Sequence, residues 1–316
     1  MTSRRTLLRT MVLATGAIVT SSIIPLETVA ATSLAQRPPV VLPSDDESTA
    51  VWACWIGHST VLLRIGGMWI LTDPVLFGSY GVSILGVTLG PMRITEPALT
   101  FDEVPRPDLI LLSHAHMDHM DRTTLRRISE RWPAQIDMIT ATNTRDIIED
   151  LPWKSLNELD WCESTQIGAI HLTALQVRHN GWRLPGEPCR AEGFMKIGRS
   201  YNGYLIEYNG IRIVFGGDTA YTTAFRSIVH KPDLAIMPIG AYDPFPEAHC
   251  TPEESLAMVE MMGARSIMPI HHSTFRQSQE PVADPLRRLR NALRRSSTQL
   301  AVHGIGGSCE FAQRST

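Results

Sequence analysis

The segment Ser113-His114-Ala115-His116-Met117-Asp118-His119 decides the fold of this chain. It follows an apolar run at residues 108–112, which predicts a fully buried strand. Neutral imidazole and carboxylate are the ligands that zinc and related divalent metals prefer. His114 and His116 are two residues apart, so in an extended turn they can converge on one ion, while Asp118 and His119 can face a second ion. The segment therefore predicts a metal site rather than a polar loop with chance histidines.

Three more metal-competent side chains, His179, Asp218 and His271, each follow a predicted strand closely. Strand ends that are far apart in sequence can meet at one edge of a layered sheet structure. We therefore expect these residues to join the 114–119 segment in a single site for two metals. Two alternatives remain: His272 competes with its neighbour His271, and Asp218, in a Gly-Gly-Asp turn, can be a simple turn residue.

The composition is that of an ordinary soluble globular protein. Apolar residues make up 43% of the 316 residues, and charged residues make up 19%. The formal net charge of −3 argues against general nucleic-acid binding, which requires a basic face. No nucleic-acid partner is therefore expected.

The amino-terminal segment predicts an export signal rather than part of the fold. Arg4 and Arg5 form a twin-arginine pattern, an apolar stretch follows at residues 11–26, and small residues offer a cleavage site. The alternative is an uncleaved anchor, but the stretch is short for a spanning helix of about 20 residues. We therefore predict a twin-arginine signal peptide at 1–35, a linker at 36–48, the twin-arginine translocase as a transient partner, and a periplasmic or secreted protein.

Short apolar runs between turn signals predict one strand-rich domain over residues 49–316. Residues 75–92 form a long apolar connection that contains five glycines and prolines, so it either packs over the core or faces the substrate as a flap. Besides 108–112, strands are predicted at 51–55, 61–65, 68–72, 137–140, 170–176, 203–207, 211–215, 234–238, 266–269 and 300–303, and helices at 123–131, 145–151, 252–262 and 284–295.

Several motifs together give the chain a resemblance to a known family. Besides His114-x-His116-x-Asp118-His119, they are Trp55-Ile56-Gly57-His58-Ser59-Thr60, Thr72-Asp73-Pro74, Gly90-Pro91-Met92-Arg93, Leu159-Asp160-Trp161, Gly216-Gly217-Asp218-Thr219-Ala220-Tyr221, Pro238-Ile239-Gly240-Ala241-Tyr242, His249-x-x-Pro252-Glu253-Glu254 and Ile270-His271-His272-Ser273-Thr274-Phe275. With these motifs the chain resembles the metallo-β-lactamase superfamily, and most closely its N-acyl-phosphatidylethanolamine-hydrolysing phospholipase D group. The resemblance implies an α/β fold of the αββα sandwich type, in which two mixed β-sheets are flanked by helices.

The resemblance also implies a role for each candidate ligand. The cofactors would be two Zn²⁺ ions, with iron or manganese as alternatives. His271 rather than His272 matches the position of the family motif. The first metal would be held by His114, His116 and His179, the second by Asp118, His119 and His271, and Asp218 would bridge the two.

A smaller set of residues is assigned to catalysis and to the walls of the site. The chemistry implied is attack by a hydroxide that forms when two metals lower the pKa of a shared water. Asp118 would take up the proton of that water. His249 would protonate the leaving group or contact a phosphate, with a non-catalytic histidine of the loop before a helix as the alternative. Asp73 would hold a metal-bound imidazole, His58 would be a site wall or a structural turn, and Tyr242, Leu85 and Leu89 would line the substrate.

Three functions follow from these assignments. The first is a zinc-dependent phosphodiesterase of the N-acyl-phosphatidylethanolamine phospholipase D type, acting on a phospholipid or a small-molecule diester and making peripheral contact with a membrane. The second is a lactonase or β-lactamase-like amidohydrolase that uses the same site. The third is an exported protein that binds metal without catalysis. The complete ligand set argues against the third function. The apolar connection at residues 75–89 and the phospholipase motifs favour the first over the second.

Overall fold

A computed structural model describes residues 39–44, 49–84, 87–188, 190 and 197–312 of the chain. The predicted signal peptide at residues 1–35, much of the predicted linker at 36–48, and Leu85 lie outside these residues. Residues 39–44, which are the described part of the linker, form neither helix nor strand.

The first of two seven-stranded sheets contains the 108–112 region near its centre. From edge to edge the strands are β16 (Ser308–Ala312), β1 (Thr49–Gly57), β2 (Thr60–Ile65), β3 (Met68–Thr72), β6 (Leu109–Leu111), β7 (Asp137–Ala141) and β8 (Ser155–Leu159). Neighbouring strands pair antiparallel from β16 to β3 and parallel from β3 to β8.

The second sheet also has seven strands, and a separate hairpin joins β4 (Val82–Ile84) to β5 (Val87–Leu89). From edge to edge the strands of the second sheet are β15 (Gln299–Leu300), β14 (Ser266–Ile270), β13 (Leu234–Pro238), β12 (Ile211–Phe215), β11 (Asn202–Tyr208), β10 (Ile170–Gln176) and β9 (Ser164–Ile167). Neighbouring strands pair parallel from β15 to β12 and antiparallel from β12 to β9.

The two sheets pack face to face, because alternate side chains of each bury into one shared core. Trp55 and Leu63 from the first sheet belong to the same buried cluster as Phe215 and Ile236 from the second. Period-two alternation places such residues on one face of each strand. Tyr204 crosses the interface, and its hydroxyl donates a hydrogen bond of 2.8 Å to the carbonyl of Leu112, at the end of β6.

Helices cover the outer faces of both sheets. On the first sheet, α1 (Arg122–Arg131) buries Leu125 and Ile128 in a second apolar cluster. On the second sheet, α2 (Pro252–Met261) and α3 (Asp284–Leu293) bury residues such as Val259 and Leu289 in a third. The predicted αββα sandwich is therefore confirmed. None of the described residues form a helix that is both long enough and apolar enough to span a bilayer.

Capping residues fix where two of the helices begin. The Asp121 carboxylate accepts the backbone N–H of Thr124 at 3.0 Å at the start of α1. Thr251 and Glu254 form a reciprocal capping box at the start of α2. Both helices follow segments that carry site residues, so the caps also fix the ends of those segments.

The structure differs from the predicted elements in a few places. The helix predicted at 145–151 is a single 3₁₀ turn, Arg145–Ile147, because Pro152 disfavours a helical conformation just before it. The last predicted strand, 300–303, is reduced to Gln299–Leu300. The strands β8, β9 and β16 were not predicted, and the 75–92 connection contains the β4–β5 hairpin.

Candidate metal centre

The candidate ligands all follow the carboxyl ends of strands that lie inside the two sheets rather than at their edges. The 114–119 segment follows β6 of the first sheet. The ligands from the second sheet are His179 after β10, Asp218 after β12 and His271 after β14. Because β6, β12 and β14 point toward the same edge of the sandwich, residues separated by more than 150 positions in the sequence come together. This is the arrangement expected from the strand ends.

A glycine allows the two sheets to approach at this edge. Gly217 precedes Asp218 and has a φ of 56°. A Cβ at this position would lie 2.7 Å from the Cβ of Ser113 and 2.8 Å from the carbonyl oxygen of Asn202. Glycine is therefore required for the turn that carries Asp218 to lie against the start of the histidine segment.

His114, His116 and His179 form what we call the first cluster. The Nε2 atom of His114 lies 2.9 Å from Nδ1 of His116, and Nε2 of His179 lies 3.1 Å from the same atom. One nitrogen of each ring therefore faces a common point, as three ligands of one metal would.

The other nitrogen of each ring in the first cluster has a separate polar partner. The partners are Ser113 Oγ at 2.8 Å from His114 Nδ1, Asn180 Oδ1 at 2.9 Å from His116 Nε2, and the Ala248 carbonyl oxygen at 2.7 Å from His179 Nδ1. Such contacts fix the tautomer and the orientation of a metal-binding histidine. The first cluster is therefore oriented from outside by the surrounding chain.

Asp118, His119 and His271 form the second cluster. Oδ2 of Asp118 lies 3.6 Å from Nε2 of His119 and 3.4 Å from Nε2 of His271. His58 comes close to the same group, because its Nε2 lies 3.0 Å from Asp118 Oδ2. The four residues place one ligand atom each within 4.8 Å of one another. The second cluster can therefore hold a metal beside the first.

Asp218 lies between the two clusters. Its Oδ2 is 3.0 Å from His119 Nε2, 3.1 Å from His271 Nε2 and 3.9 Å from His179 Nε2. The carboxylate is 2% exposed. Asp218 is thus placed to contact ligands of both clusters, as a bridging residue would.

The ligand atoms of the centre are arranged to bind divalent metals, because several of them are buried and unpaired. Within the described part of the chain, the two carboxylate oxygens of Asp218 and the Nε2 atom of His119 are buried without a hydrogen-bond partner. Buried polar atoms are normally paired, and leaving one unpaired costs about 1–3 kcal/mol. Convergent imidazole and carboxylate atoms, with some of them left unpaired in this way, are what a metal site presents.

Asp73 supports His119 from behind. Its Oδ2 lies 2.7 Å from His119 Nδ1 and accepts the Ser113 hydroxyl at 2.6 Å, while Oδ1 accepts the Ser113 backbone N–H at 2.7 Å. The Nε2 atom of His119 is therefore the nitrogen left for a metal. This contact agrees with the role that the sequence suggested for Asp73.

The first and second clusters have opposite charge preferences. Burial lowers the pKa of all three histidines in the first cluster below their usual value of 6.5. Burial also disfavours charge on His119 and His271, but nearby carboxylates, with Asp218 contributing most, raise the pKa of His119 well above 6.5 and that of His271 to about 9.

The carboxylates respond in the opposite direction. Burial alone would raise the pKa of Asp118 and Asp218, but the imidazoles around them, His119 first, hold both pKa values well below 3.8. Without a metal, the first cluster is therefore neutral at pH 7, whereas the second cluster contains imidazolium–carboxylate pairs.

His249 lies beside both clusters, as a candidate for contact with substrate would. Its Nδ1 is 3.7 Å from Asp218 Oδ2, and its ring lies 5.2 Å from that of His271 and 5.1 Å from that of His179. Its side chain is 12% exposed, and burial lowers its pKa to about 4. His249 can therefore act as a neutral hydrogen-bonding group or as an additional ligand.

His271 and its neighbour His272 point in different directions. His271 adopts a φ of 60°, which turns its ring toward Asp218. His272 stacks on Trp55, with ring centroids 4.6 Å apart, and its Nδ1 lies 2.8 Å from Ser273 Oγ. The structure therefore brings His271, and not His272, to the centre.

Tyr242 and Leu89 have different surroundings. The Tyr242 hydroxyl donates to Asp284 at 2.7 Å, and Arg288 lies over its ring, so these polar contacts are with α3. A place for Tyr242 in the substrate wall stays a prediction. Leu89 ends β5 and is 58% exposed, which excludes a core position.

The sequence pattern did not single out Gln277, Asn180 or Tyr80. Gln277 donates from Nε2 to Asp118 Oδ2 at 3.1 Å, and its Oε1 accepts the Tyr80 hydroxyl at 2.9 Å. Amide and phenol side chains are common and carry no spacing signature. Only the resemblance of the segments around them could have directed attention to these three.

The ligand geometry agrees with the match to a protein family. Residues 68–272 match the model of the beta-lactamase superfamily domain. The chain belongs to the metallo-β-lactamase superfamily. A relative from Methanospirillum hungatei, 26% identical over 73% of this chain, is named a metal-dependent hydrolase. This protein is a metal-dependent hydrolase of the superfamily. The prediction of an enzyme is confirmed, and a non-catalytic metal-binding role is set aside.

Individual members of the superfamily resemble the chain over most of its length. An uncharacterized protein of Mycobacterium tuberculosis is 31% identical over 284 residues, covering 85% of this chain and 72% of that protein. N-acyl-phosphatidylethanolamine-hydrolyzing phospholipase D 1 of Caenorhabditis elegans is 27% identical, over 74% of this chain and 67% of that protein. A metallo hydrolase of the archaeon Ignicoccus hospitalis shares the fold, with a TM-score of 0.59 at 16% identity, over 83% of this chain and 98% of that one.

Proposed function

We propose that this protein is a dinuclear, zinc-dependent phosphodiesterase of the N-acyl-phosphatidylethanolamine phospholipase D type. The observation that carries the proposal is the position of Asp218, whose Oδ2 lies within 4 Å of histidines from both clusters. A buried carboxylate between two ligand sets is suited to two metals rather than one. The similarity to the nematode phospholipase D supports the choice of a phosphodiester substrate.

The two clusters and Asp218 would bind the metals, and Asp118 would also transfer a proton. The first cluster would hold one metal, the second cluster the other, and Asp218 would contact both. Two zinc ions, with iron or manganese as the alternatives, would supply positive charge for the oxygens that become negative and would make a water acidic enough to react at neutral pH. Asp118, which is ionised because its pKa is held low, would accept the proton of the attacking water.

His249 would act on the leaving-group side. With a pKa of about 4 its ring is neutral at pH 7, so it can donate an N–H to a phosphate oxygen. Protonation of the leaving group would require the negative charge of bound substrate to raise that pKa. The exposed fraction of the ring leaves it open to substrate on one side.

An arginine-rich cavity of about 730 Å³ beside the histidine segment supports an anionic, apolar substrate. Met117, which lies between His116 and Asp118, is part of its wall. Exposed apolar side chains, among them Leu184, lie at the same cavity. The charged residues of the wall are Arg122, Arg126, Arg127 and Arg183, against one acid, Glu130.

This wall favours a phosphodiester lipid over a neutral lactone. The Arg183 guanidinium donates hydrogen bonds to the carbonyls of Ala115 and Met120. Among the described residues, no carboxylate lies within 4.0 Å of this guanidinium. Arg126 likewise has no ion pair among the described residues, whereas Arg122 is paired with Asp150. Excess positive charge beside apolar groups complements a lipid with an anionic head.

The same features support the proposed location. Val82 and Leu89 of the hairpin are exposed, as is Trp182, which packs edge-on against His116 at 5.3 Å. Exposed apolar side chains grouped near a site suit peripheral contact with a membrane. With the twin-arginine pattern at Arg4 and Arg5, they support a periplasmic or secreted enzyme that acts at a lipid surface.

A substrate panel tests the proposal. Mature protein reconstituted with zinc should bind two metal equivalents and cleave N-acyl-phosphatidylethanolamine and bis-p-nitrophenyl phosphate, but not an acyl lactone or nitrocefin. Asp218→Asn, which keeps the side-chain shape, serves as the inactive control. Cleavage of the lactone or of nitrocefin with no diester turnover would replace the proposal by the lactonase or amidohydrolase alternative.

A further inference from the structure

A chain of two hydrogen bonds links the second cluster to the 75–92 connection. The Tyr80 hydroxyl donates to Oε1 of Gln277 at 2.9 Å. Nε2 of Gln277 in turn donates to Oδ2 of Asp118 at 3.1 Å and lies 3.3 Å from Nε2 of His271. Gln277 therefore contacts two of the three residues in the second cluster.

The Gln277 amide is held at both ends. An amide can present either its oxygen or its NH₂ group after a 180° rotation. The Asp118 carboxylate can only accept, so the NH₂ group points at it, and the Tyr80 hydroxyl holds this orientation by donating to the amide oxygen. The reversed amide would set two oxygens against each other beside Asp118, which is unfavourable at a buried site.

Two donors then hold one oxygen of Asp118. His58 Nε2 lies 3.0 Å from Asp118 Oδ2, the oxygen that also accepts from Gln277. His58 is itself fixed, because its backbone N–H donates to Thr274 Oγ1 at 2.7 Å and its carbonyl accepts the His271 N–H at 3.0 Å. Gln277 is the more adjustable of the two donors, since its orientation depends on Tyr80.

Packing explains how Tyr80 keeps its place. Its ring meets Phe275 edge-on, with centroids 4.9 Å apart, in a small buried cluster with Val75. A phenylalanine ring would make the same contacts and lack only the hydroxyl. The packing of Tyr80 and its hydrogen bond to Gln277 can therefore be separated by one substitution.

We propose that Tyr80 and Gln277 are positioning residues that orient Asp118 for the metal of the second cluster. This rests on the two-metal centre proposed above. The first cluster has its own outer contacts, of which Asn180 on His116 is one, so the effect of Tyr80 and Gln277 is confined to one metal. Outer contacts of this kind typically change metal affinity by about 10–100-fold.

Stepwise zinc affinity, measured by competition with a chromogenic chelator, tests this inference. Gln277→Ala should weaken one of the two equivalents about 10–100-fold, and Tyr80→Phe should weaken the same equivalent about 2–10-fold, as for one lost hydrogen bond. Asn180→Ala is the matched control and should weaken the other equivalent. In the cobalt-substituted protein, the visible absorption of the metal in the second cluster should change in Gln277→Ala and in Tyr80→Phe. It should not change in Asn180→Ala.

The double variant decides whether Tyr80 acts through Gln277. Tyr80→Phe should add nothing in the Gln277→Ala background, because the amide that it orients is gone. Additive losses, equal weakening of both equivalents, or unchanged affinities in Gln277→Ala would overturn the inference while the two-metal centre stands. A wild-type protein with only one zinc equivalent would overturn the two-metal centre and this inference with it. A melting temperature of the metal-free Tyr80→Phe protein close to wild type excludes a packing effect.

Discussion

Proton release should differ between the two metals that we propose. Without a metal, the histidines of the first cluster are neutral at pH 7, because burial lowers each pKa. In the second cluster His119 and His271 are protonated, because the carboxylates outweigh burial. A histidine must be neutral to bind a metal. At pH 7 the equivalent that enters the first cluster should therefore release almost no protons, and the equivalent that enters the second should release about two.

The release of two protons sets how the zinc affinity of the second cluster depends on pH. Two released protons make the affinity of the second equivalent rise about 100-fold per pH unit, as long as both imidazoles stay protonated in the metal-free protein. That condition holds below the pKa of His271, at about 9. Acidification from pH 8 to pH 6 should thus strip the second metal and leave the first, whose histidines have pKa values below 6.5.

Calorimetric titration with zinc in two buffers of different ionisation enthalpy measures the released protons directly. At pH 7 the heat of binding of the second equivalent should differ between the two buffers. The heat of binding of the first equivalent should be the same in both. Equal proton release by both equivalents would refute the charge assignment of the clusters. So would an affinity of the second equivalent that does not change between pH 6 and pH 8.

Four further perturbations have defined outcomes. Asp218→Ala should abolish diester turnover while the far-ultraviolet circular dichroism stays that of the wild type; an active variant would exclude Asp218 from the centre. Leu89→Ser should raise KM for long-chain lipids and leave bis-p-nitrophenyl phosphate turnover unchanged, because each buried methylene contributes about 0.8 kcal/mol; equal loss on both substrates would argue against lipid contact. Arg126→Glu should raise KM for anionic lipid about tenfold, with the exposed Arg226→Glu as a control that changes nothing. Lysine at both Arg4 and Arg5 should block export, and normal export of that variant would exclude the twin-arginine route.

Strands with many buried residues were predictable, whether or not they deliver a ligand. β6, β13 and β14 consist of buried residues throughout and appear as short, mostly apolar runs, while β10 buries alternate residues and β12 buries four of its five. β9 and β16 alternate between exposed and half-buried positions at the sheet edges, and their polar sequences resemble loops. Burial, rather than strand propensity, decided what the sequence pattern could reveal.

The candidate ligands were predictable, but much of their support was not. Histidine and aspartate spacing carries chemical information, so all seven ligand candidates are brought to one centre. Gln277 and Asn180 act through orientation, which depends on where distant segments pack and leaves no local pattern. Tyr242 illustrates the converse, since it lies in a motif of the family yet makes its polar contacts with α3.

The pairing of β1 with β16 has a consequence for how the chain could be rewired. Thr49 at the start of β1 lies opposite Ala312 at the end of β16, so both ends of the sandwich meet at one sheet edge. A short peptide between residues 312 and 49, with new termini in the exposed hairpin of β4 and β5, would give a circular permutant in which both sheets remain paired. The order of the site residues along the chain is thus independent of their positions in space. In this permutant His58 and Asp73 would follow His271 along the chain instead of preceding the His-x-His-x-Asp-His segment, and a search for motifs in fixed order would miss it.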